Sequence, residues 1–334
     1  MNIIVPMAGM GKRMRPHTLT IPKPLIPVAG KPIVEHLVQD LAAMCNEKIE
    51  EVAFVIGDFG KETEQRLLDI AKSIGATGKI FYQNEALGTA HAVYCAEECL
   101  KGNVIIAFAD TIFRADFKLD AGKDGVIWVN KVDNPQQFGV VKIAPEGHIS
   151  EFIEKPTEFI SDLAIIGIYY FKDGDNLRNE IKYLLDNDIK DKGEYQLTNA
   201  LENMKNKGLK FHPGTVNEWL DCGNKNATVY TNQRVLHLAG ETKNIVKGTP
   251  VVENSTIIPP CFIGDKVTIT NSVVGPYVSL GNGCTVSGSV VSNSIVQNNT
   301  VIKGANITNS MIGSHASYNG KADELSISDY SVME

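Results

Sequence analysis

The sequence predicts two domains of different architecture: an α/β domain with a Rossmann-like mixed sheet over residues 1–238, and a parallel β-helix of hexapeptide repeats over residues 239–334. Three observations carry this expectation. Strand-like and helix-like apolar segments alternate up to about residue 236. The first strand runs directly into a glycine-rich turn. After residue 248 the chain becomes short β-branched groups recurring every six residues. Alternation of the first kind builds a sheet covered by helices on both faces, and a short fixed period marks stacked coils.

Ile3-Ile4-Val5-Pro6-Met7 is the first strand. Ile33, Val34, Leu37, Leu41 and Met44 form a helical stripe, Val52–Ile56 a buried strand, Leu67, Leu68 and Ala71 another helix face, and Val104–Phe108 a central strand. Strands at 125–131, 138–143 and 163–171, with helices at 176–185 and 196–206, widen the sheet. A helix at 227–238 and a linker at 240–248 lead into the repeat. There Ile257, Ile263 and Ile269, then Val274, Leu280 and Val286, then Ile295, Val301 and Ile307 mark the inward position. Val267, Val273, Val278, Cys284 and Val290 mark a second.

A net charge of −7 over 334 residues, with no long basic run, argues against a nucleic-acid partner, because phosphate neutralisation supplies most of that affinity. The start lacks a basic segment followed by a long apolar run, and no stretch of about 18 apolar residues occurs. A cytoplasmic protein without a membrane association is expected. Six cysteines without a Cys-x-x-Cys pair indicate reduced packing residues.

The turn after the first strand reads Ala8-Gly9-Met10-Gly11-Lys12-Arg13, followed by Lys23-Pro24-Leu25-Ile26-Pro27-Val28. Glycines let backbone N–H groups approach an anion. Arg13 and Lys23 supply the charge that a triphosphate needs, and flanking prolines restrict the backbone around Lys23. Asp110 at the end of the Val104 strand and Asp221 in Trp219-Leu220-Asp221-Cys222-Gly223 are two carboxylates that could serve magnesium in the company of the phosphate loop, whereas a strand-end aspartate alone reads as a turn cap. That ion takes one or two carboxylates and completes its shell with phosphate oxygens. Gln83 precedes the helix start Gly88-Thr89. Its amide can both donate to and accept from the N3/O4 edge of thymine or uracil, with Gly88 letting the base lie against backbone. His91, one turn on, is assigned no chemistry. Gly139, Glu154 and Lys155 offer close approach to a sugar, a carboxylate for its hydroxyls and a compact charge for its phosphate.

The order Gly-x-Gly-x-Arg, Lys-Pro, Gln…Gly-Thr-Ala, strand-end Asp, Gly-Val-Val, Glu-Lys-Pro, Gly-Glu-Tyr-Gln-Leu-Thr and Trp-Leu-Asp-x-Gly over residues 1–225 resembles the sugar-1-phosphate nucleotidylyltransferases. The resemblance implies that Ala8, Gly9, Gly11 and Arg13 hold the triphosphate and that Lys23 stabilises phosphate charge. Gln83 and Gly88 would read the base. Asp110 and Asp221 would hold Mg2+, and Gly139, Glu154, Lys155 and Lys192 would receive the sugar phosphate. Lys12 stands where relatives carry threonine, and Ile165-Ile166-Gly167 replaces a polar pair. The implied reaction joins an NTP, with dTTP first and UTP second, to a sugar-1-phosphate of the glucose type. The implied β-helix is left-handed and builds a homo-oligomer. Two rival readings are a non-catalytic nucleotide-sugar sensor and a bifunctional enzyme with acetyl transfer on the β-helix, for which His315 is the only candidate base in the repeat.

Overall fold

The computed structural model describes residues 1–9, 11–115, 118–320 and 326–333, so Met10 of the glycine-rich turn lies outside the described residues. In chain order the first strands are β1 (Asn2–Pro6), β2 (Pro27–Val28), β3 (Lys31–Pro32), β4 (Glu51–Ile56), β5 (Thr77–Tyr82), β6 (Val104–Ala107) and β7 (Thr111–Arg114). They are followed by β8 (Gly125–Lys131), β9 (Gly139–Ile143), β10 (Ile149–Glu154), β11 (Leu163–Phe171), β12 (Phe211–Gly214) and β13 (Glu218–Asp221). The helices are α1 (Ile33–Met44), α2 (Lys61–Ser73), α3 (Thr89–Tyr94), α4 (Gly174–Asp186), α5 (Leu197–Asn206) and α6 (Lys225–Ala239). The strand β5 adds to the expected elements, its half-buried Thr-Gly-Lys-Ile-Phe-Tyr being neither continuously apolar nor alternating. Two compact units result: Met1–Gly9 with Leu37–Trp219, and Met10–His36 with Leu220–Glu334. The division falls within the glycine-rich turn.

The first unit is built on a mixed sheet of order β10-β9-β11-β6-β1-β4-β5, with β8 between β11 and β12. The four strands β6, β1, β4 and β5 are mutually parallel, and β11 runs antiparallel to β6. Strands buried on both faces must be apolar throughout. Accordingly Ile3, Ile4 and Val5, with Val104, Ile105 and Ile106, are fully buried. Local chemistry sets the helix starts: Asp173 accepts the Asn176 N–H at 2.9 Å ahead of α4, a side-chain N-cap. Parallel strands bring the turns after β1, β5 and β6 to one end of the sheet, where ligands of such sheets bind.

The second unit carries a β-helix of the left-handed hexapeptide type, its coils forming three parallel sheets. Ile263 stacks on Leu280, Leu280 on Val296 and Val296 on Ile312, and each is sealed from solvent in one apolar column. The repeat starts earlier than the expected linker allows, since Ile245–Val246 already pairs with Phe262–Ile263. Register also corrects the sequence reading: Val296 and Ile302 point inward, whereas Val301, Val273 and Val290 lie on the outside, Val290 being 45% exposed. Ile295 is buried without belonging to the inner column. The slip arises because each coil is shorter than three full hexads, seventeen residues from Ile263 to Leu280 and sixteen from Leu280 to Val296. Asn254, Asn271, Asn293, Asn299 and Asn309 take left-handed backbone conformations, which Asn tolerates better than branched residues. Asn254 Nδ2 donates to Asn271 Oδ1 at 2.6 Å, and a ladder of Ser255, Ser272 and Ser289 hydroxyls accepts backbone N–H groups from one coil to the next. His315 is another of these corner residues, its ring stacked on Tyr330 at 4.9 Å.

Residues 11–36 are seated on this β-helix within the same unit. Asn232 of α6, fully buried, is the stitch. Its Oδ1 accepts the Ala29 N–H at 2.9 Å and the Ser279 hydroxyl at 2.7 Å, while its Nδ2 donates to Tyr277 O at 3.3 Å. At the other end the last coil holds the segment after the glycine-rich turn. Thr20 Oγ1 donates to Asp329 Oδ2 at 2.5 Å, Ser328 Oγ donates to Pro16 O at 3.2 Å, and His17 Nε2 meets Ser326 Oγ at 3.1 Å. Among the described residues His17 Nδ1 is buried without a hydrogen-bond partner.

Burial lowers the His17 pKa from 6.5 to about 4, with Asp329 opposing and Lys225 reinforcing the shift. The unfolded chain therefore binds a proton that the folded unit rejects, so stability present above pH 6.5 is lost as pH falls toward 4. Urea unfolding of this unit at pH 7 and pH 5 is expected to differ by about 2 kcal/mol, and His17→Gln is expected to remove most of that difference. Equal slopes for both proteins would refute the assignment.

Candidate functional site

In the first unit a cavity of about 220 Å³ opens beyond the carboxyl ends of the parallel strands, lined by Ala8, Gly9, Gln83, Gly88, Thr89, Phe108 and Glu194 among others. Backbone pairing carries each wall there. Met7 N–H donates to Val55 O at 2.8 Å, Gln83 N–H to Ile56 O at 2.9 Å and Phe108 N–H to Gly167 O at 2.9 Å. Sequence-expected residues from two separate motifs, Ala8-Gly9 and Gln83/Gly88, thus share one cavity. A Cβ on Gly9 would meet no protein atom within 4 Å, so what this glycine keeps clear is open space rather than protein packing.

Gly88 is required for a second reason that sequence alone did not give. Its φ is 116°, and a Cβ built on it would lie 2.5 Å from Tyr195 O and 2.7 Å from Tyr195 N, distances no side chain tolerates. The segment Gly193–Thr198 crosses here and bonds on both sides of the glycine. Tyr195 N–H donates to Leu87 O at 2.8 Å and Ala90 N–H to Tyr195 O at 2.9 Å. Leu197 N–H donates to Thr89 Oγ1 at 2.9 Å, and Thr89 Oγ1 in turn donates to buried Gln196 Oε1 at 3.1 Å. The Gly-Glu-Tyr-Gln-Leu-Thr motif, quoted from the sequence without a role, is therefore the mount of the turn that carries Gly88. Its Glu194 also lines the cavity.

Gln83 Nε2 donates to Gly88 O at 3.2 Å and faces His91 Nδ1 at 3.1 Å. Burial lowers the His91 pKa, with Glu85 opposing, so the ring is neutral at pH 7.

The same segment reaches the expected sugar-phosphate residues. Thr198 Oγ1, buried, donates to Glu154 Oε2 at 3.3 Å. A Cβ on Gly139 would lie 3.0 Å from Glu154 Oε2, 3.3 Å from Thr198 Cγ2 and 3.4 Å from Ile165 Cδ1. Gly139, Glu154 and Thr198 are thus brought together, and Ile165 supplies an apolar neighbour. Lys155 Nζ lies 3.4 Å from Glu154 Oε1. Lys192 Nζ donates to Lys155 O at 2.8 Å and Glu154 O at 3.4 Å, which pins the turn after β10. Both lysines take positive φ, 41° and 52°, a conformation that costs roughly 1 kcal/mol each and that these bonds hold in place. Asp110 ends the turn between β6 and β7 in this unit.

The remaining expected residues, Gly11, Arg13, Lys23 and Asp221, belong to the second unit. Gly11 has φ 56°, and a Cβ there would lie 2.9 Å from Lys23 Cβ. The glycine thereby lets Lys23, itself 8% exposed, lie directly behind the turn. Thr18 Oγ1 closes the turn onto Gly11 O at 2.9 Å. Arg13 and Lys12 are exposed. Asp221 Oδ1 accepts the Gly223 N–H at 3.0 Å, which orients the carboxylate at the end of β13.

With this geometry in view, comparison with known proteins points one way. The chain is 29% identical to the low-salt glycan biosynthesis nucleotidyltransferase Agl11 of Haloferax volcanii, over 95% of this chain and 93% of that one. It is 29% identical to the glucose-1-phosphate thymidylyltransferase of Streptomyces griseus, over 94% and 92%. It is 30% identical to the bifunctional protein GlmU of Methanococcus maripaludis over 78% of this chain, and there it spans only 62% of the relative's length. A solved UDP-glucose pyrophosphorylase in complex with UDP-glucose shares the fold, with a TM-score of 0.59, 20% identity, and coverage of 71% of this chain and 98% of that one. The nucleotidyl transferase family model matches residues 2–237, and the chain belongs to that family.

Proposed function

We propose that this protein transfers a nucleotidyl group from an NTP to a sugar-1-phosphate, releasing pyrophosphate and a nucleotide sugar. dTTP is the favoured nucleotide, UTP the runner-up, and a glucose-type 1-phosphate the favoured acceptor. The observation that carries the reading is the single segment Gly193–Thr198, which braces the turn beside Gln83 and also binds Glu154. A base-reading wall and a sugar-reading wall on one mount suit a reaction that joins two substrates. Thymidylyltransferase relatives aligned along nearly their whole length support the choice of dTTP.

In this reaction the sugar-phosphate oxygen attacks the α-phosphorus in line and the pyrophosphate oxygen leaves, so no protein nucleophile is needed. The protein's task is positioning and charge stabilisation. Arg13 and Lys23 neutralise the triphosphate, the N–H groups of Ala8, Gly9 and Gly11 line its path, and Glu154 takes sugar hydroxyls. Lys155 and Lys192 add positive charge where the sugar phosphate arrives. Asp110 and Asp221 would hold magnesium. Both are hard oxygen donors at strand ends, one of them oriented by the Gly223 N–H, the donor chemistry of an ion that completes its shell from water and phosphate. Bound there, the ion would polarise the phosphate oxygens. A non-catalytic sensor would not require Arg13, Lys23, Asp110 and Asp221 together. The His315 ring, stacked on Tyr330, gives acetyl transfer no support.

Pyrophosphate release from ATP, GTP, CTP, UTP and dTTP, each with glucose-1-phosphate and magnesium, is expected with dTTP and more weakly with UTP. Release with GTP would overturn the base assignment, and silence also with mannose- and glucosamine-type 1-phosphates would overturn the reaction. Asp110→Asn is expected to lower kcat on the order of 10³-fold. A variant as active as the parent would remove Asp110 from the site.

A further inference from the structure

His91 had no assigned role, and its geometry gives it one. The amide nitrogen of Gln83 points at two atoms, Gly88 O at 3.2 Å and His91 Nδ1 at 3.1 Å. A backbone carbonyl only accepts, so Gly88 O decides which end of the amide is nitrogen. Facing an NH2 group, Nδ1 of His91 must be bare and accept, which puts the ring proton on Nε2. Both amide hydrogens are then spent inside the protein. Oε1 is the Gln83 atom left to meet a ligand in the cavity that Gln83 lines.

An acceptor at that point suits a base carrying an N–H at position 3 and repels one whose N3 is itself an acceptor. We infer that His91 is a positioning residue which locks the Gln83 amide so that Oε1 reads the N3–H of thymine or uracil and rejects cytosine. This rests on the nucleotidyl-transfer reading above. The terminal torsion of glutamine is broad and roughly two-fold, so without a second acceptor only Gly88 O opposes a flip that would offer the NH2 to cytosine.

The test uses the full chain and three proteins: the parent, His91→Leu, which keeps the bulk and removes the acceptor, and His91→Asn, whose Oδ1 falls close to the place of Nδ1. For each, kcat/KM and the dissociation constants of dTTP and CTP are measured with glucose-1-phosphate. In His91→Leu the preference for dTTP over CTP is expected to fall about five- to tenfold, the worth of one hydrogen bond. The change should lie in KM, with kcat for dTTP nearly constant, and His91→Asn should restore the preference. Should His91→Leu fail to fold, nitrogen NMR of the parent reads the tautomer directly: a proton on Nε2 supports the lock and a proton on Nδ1 overturns it. Binding selectivity that depends on His91 without pyrophosphate release would refute the transfer reaction and leave the lock standing. Selective turnover unchanged in His91→Leu would refute the lock and leave the reaction standing. A parent that turns over dTTP and CTP equally well would overturn the lock and leave the reaction standing.

Discussion

Much of the candidate site depends on one crossing, that of Tyr195 over Gly88. Two backbones approach so closely there that a single methyl group would collide with a carbonyl oxygen at 2.5 Å. In exchange the crossing gains two backbone hydrogen bonds and a threonine hydroxyl that is both acceptor and donor. Such a contact costs conformational freedom, which here is recovered by satisfying backbone groups that would otherwise be buried without partners. Its consequence is geometric. Gln83, Gly88 and His91 on one side and Thr198 and Glu154 on the other hang from a single stretch of six residues.

How much of this was legible in the sequence follows from the range of the interactions. Local signals were readable: β1 and its glycine-rich turn, the stripe of α1 and the six-residue beat of the β-helix all depend on neighbours a few residues apart. Gly88 was recognised as a base-side glycine, yet its steric necessity comes from a residue more than a hundred positions on, which no period reports. His91 was passed over for a similar reason, since a lone histidine in a short helix carries no signal until its partner's amide orientation is known. In the β-helix a strict hexad places Ile295 and Val301 inward. The true coil loses a residue at the corner, and apolar character on the outer face of buried strands hides the slip.

The second unit shows how a loop rich in glycine and proline is held without regular structure of its own. Residues 11–36 contain only single turns of 3-10 helix, the pair β2 and β3 and the start of α1, too little for independent stability. They rest instead on buried Asn232 and on the last coil of the β-helix. A buried amide with two accepted bonds and one donated bond is well satisfied and specifies one docking geometry. For Gly11, Arg13 and Lys23 the β-helix is therefore a scaffold as well as a separate repeat.

The most direct test of the crossing is amide hydrogen exchange at Ala90, Tyr195 and Leu197, with and without dTTP and magnesium. If the crossing is one cooperative element, the three amides open together at a common free energy and nucleotide slows all three. Rapid exchange of Tyr195 and Leu197, indifferent to nucleotide while Ala90 stays protected, would contradict the account.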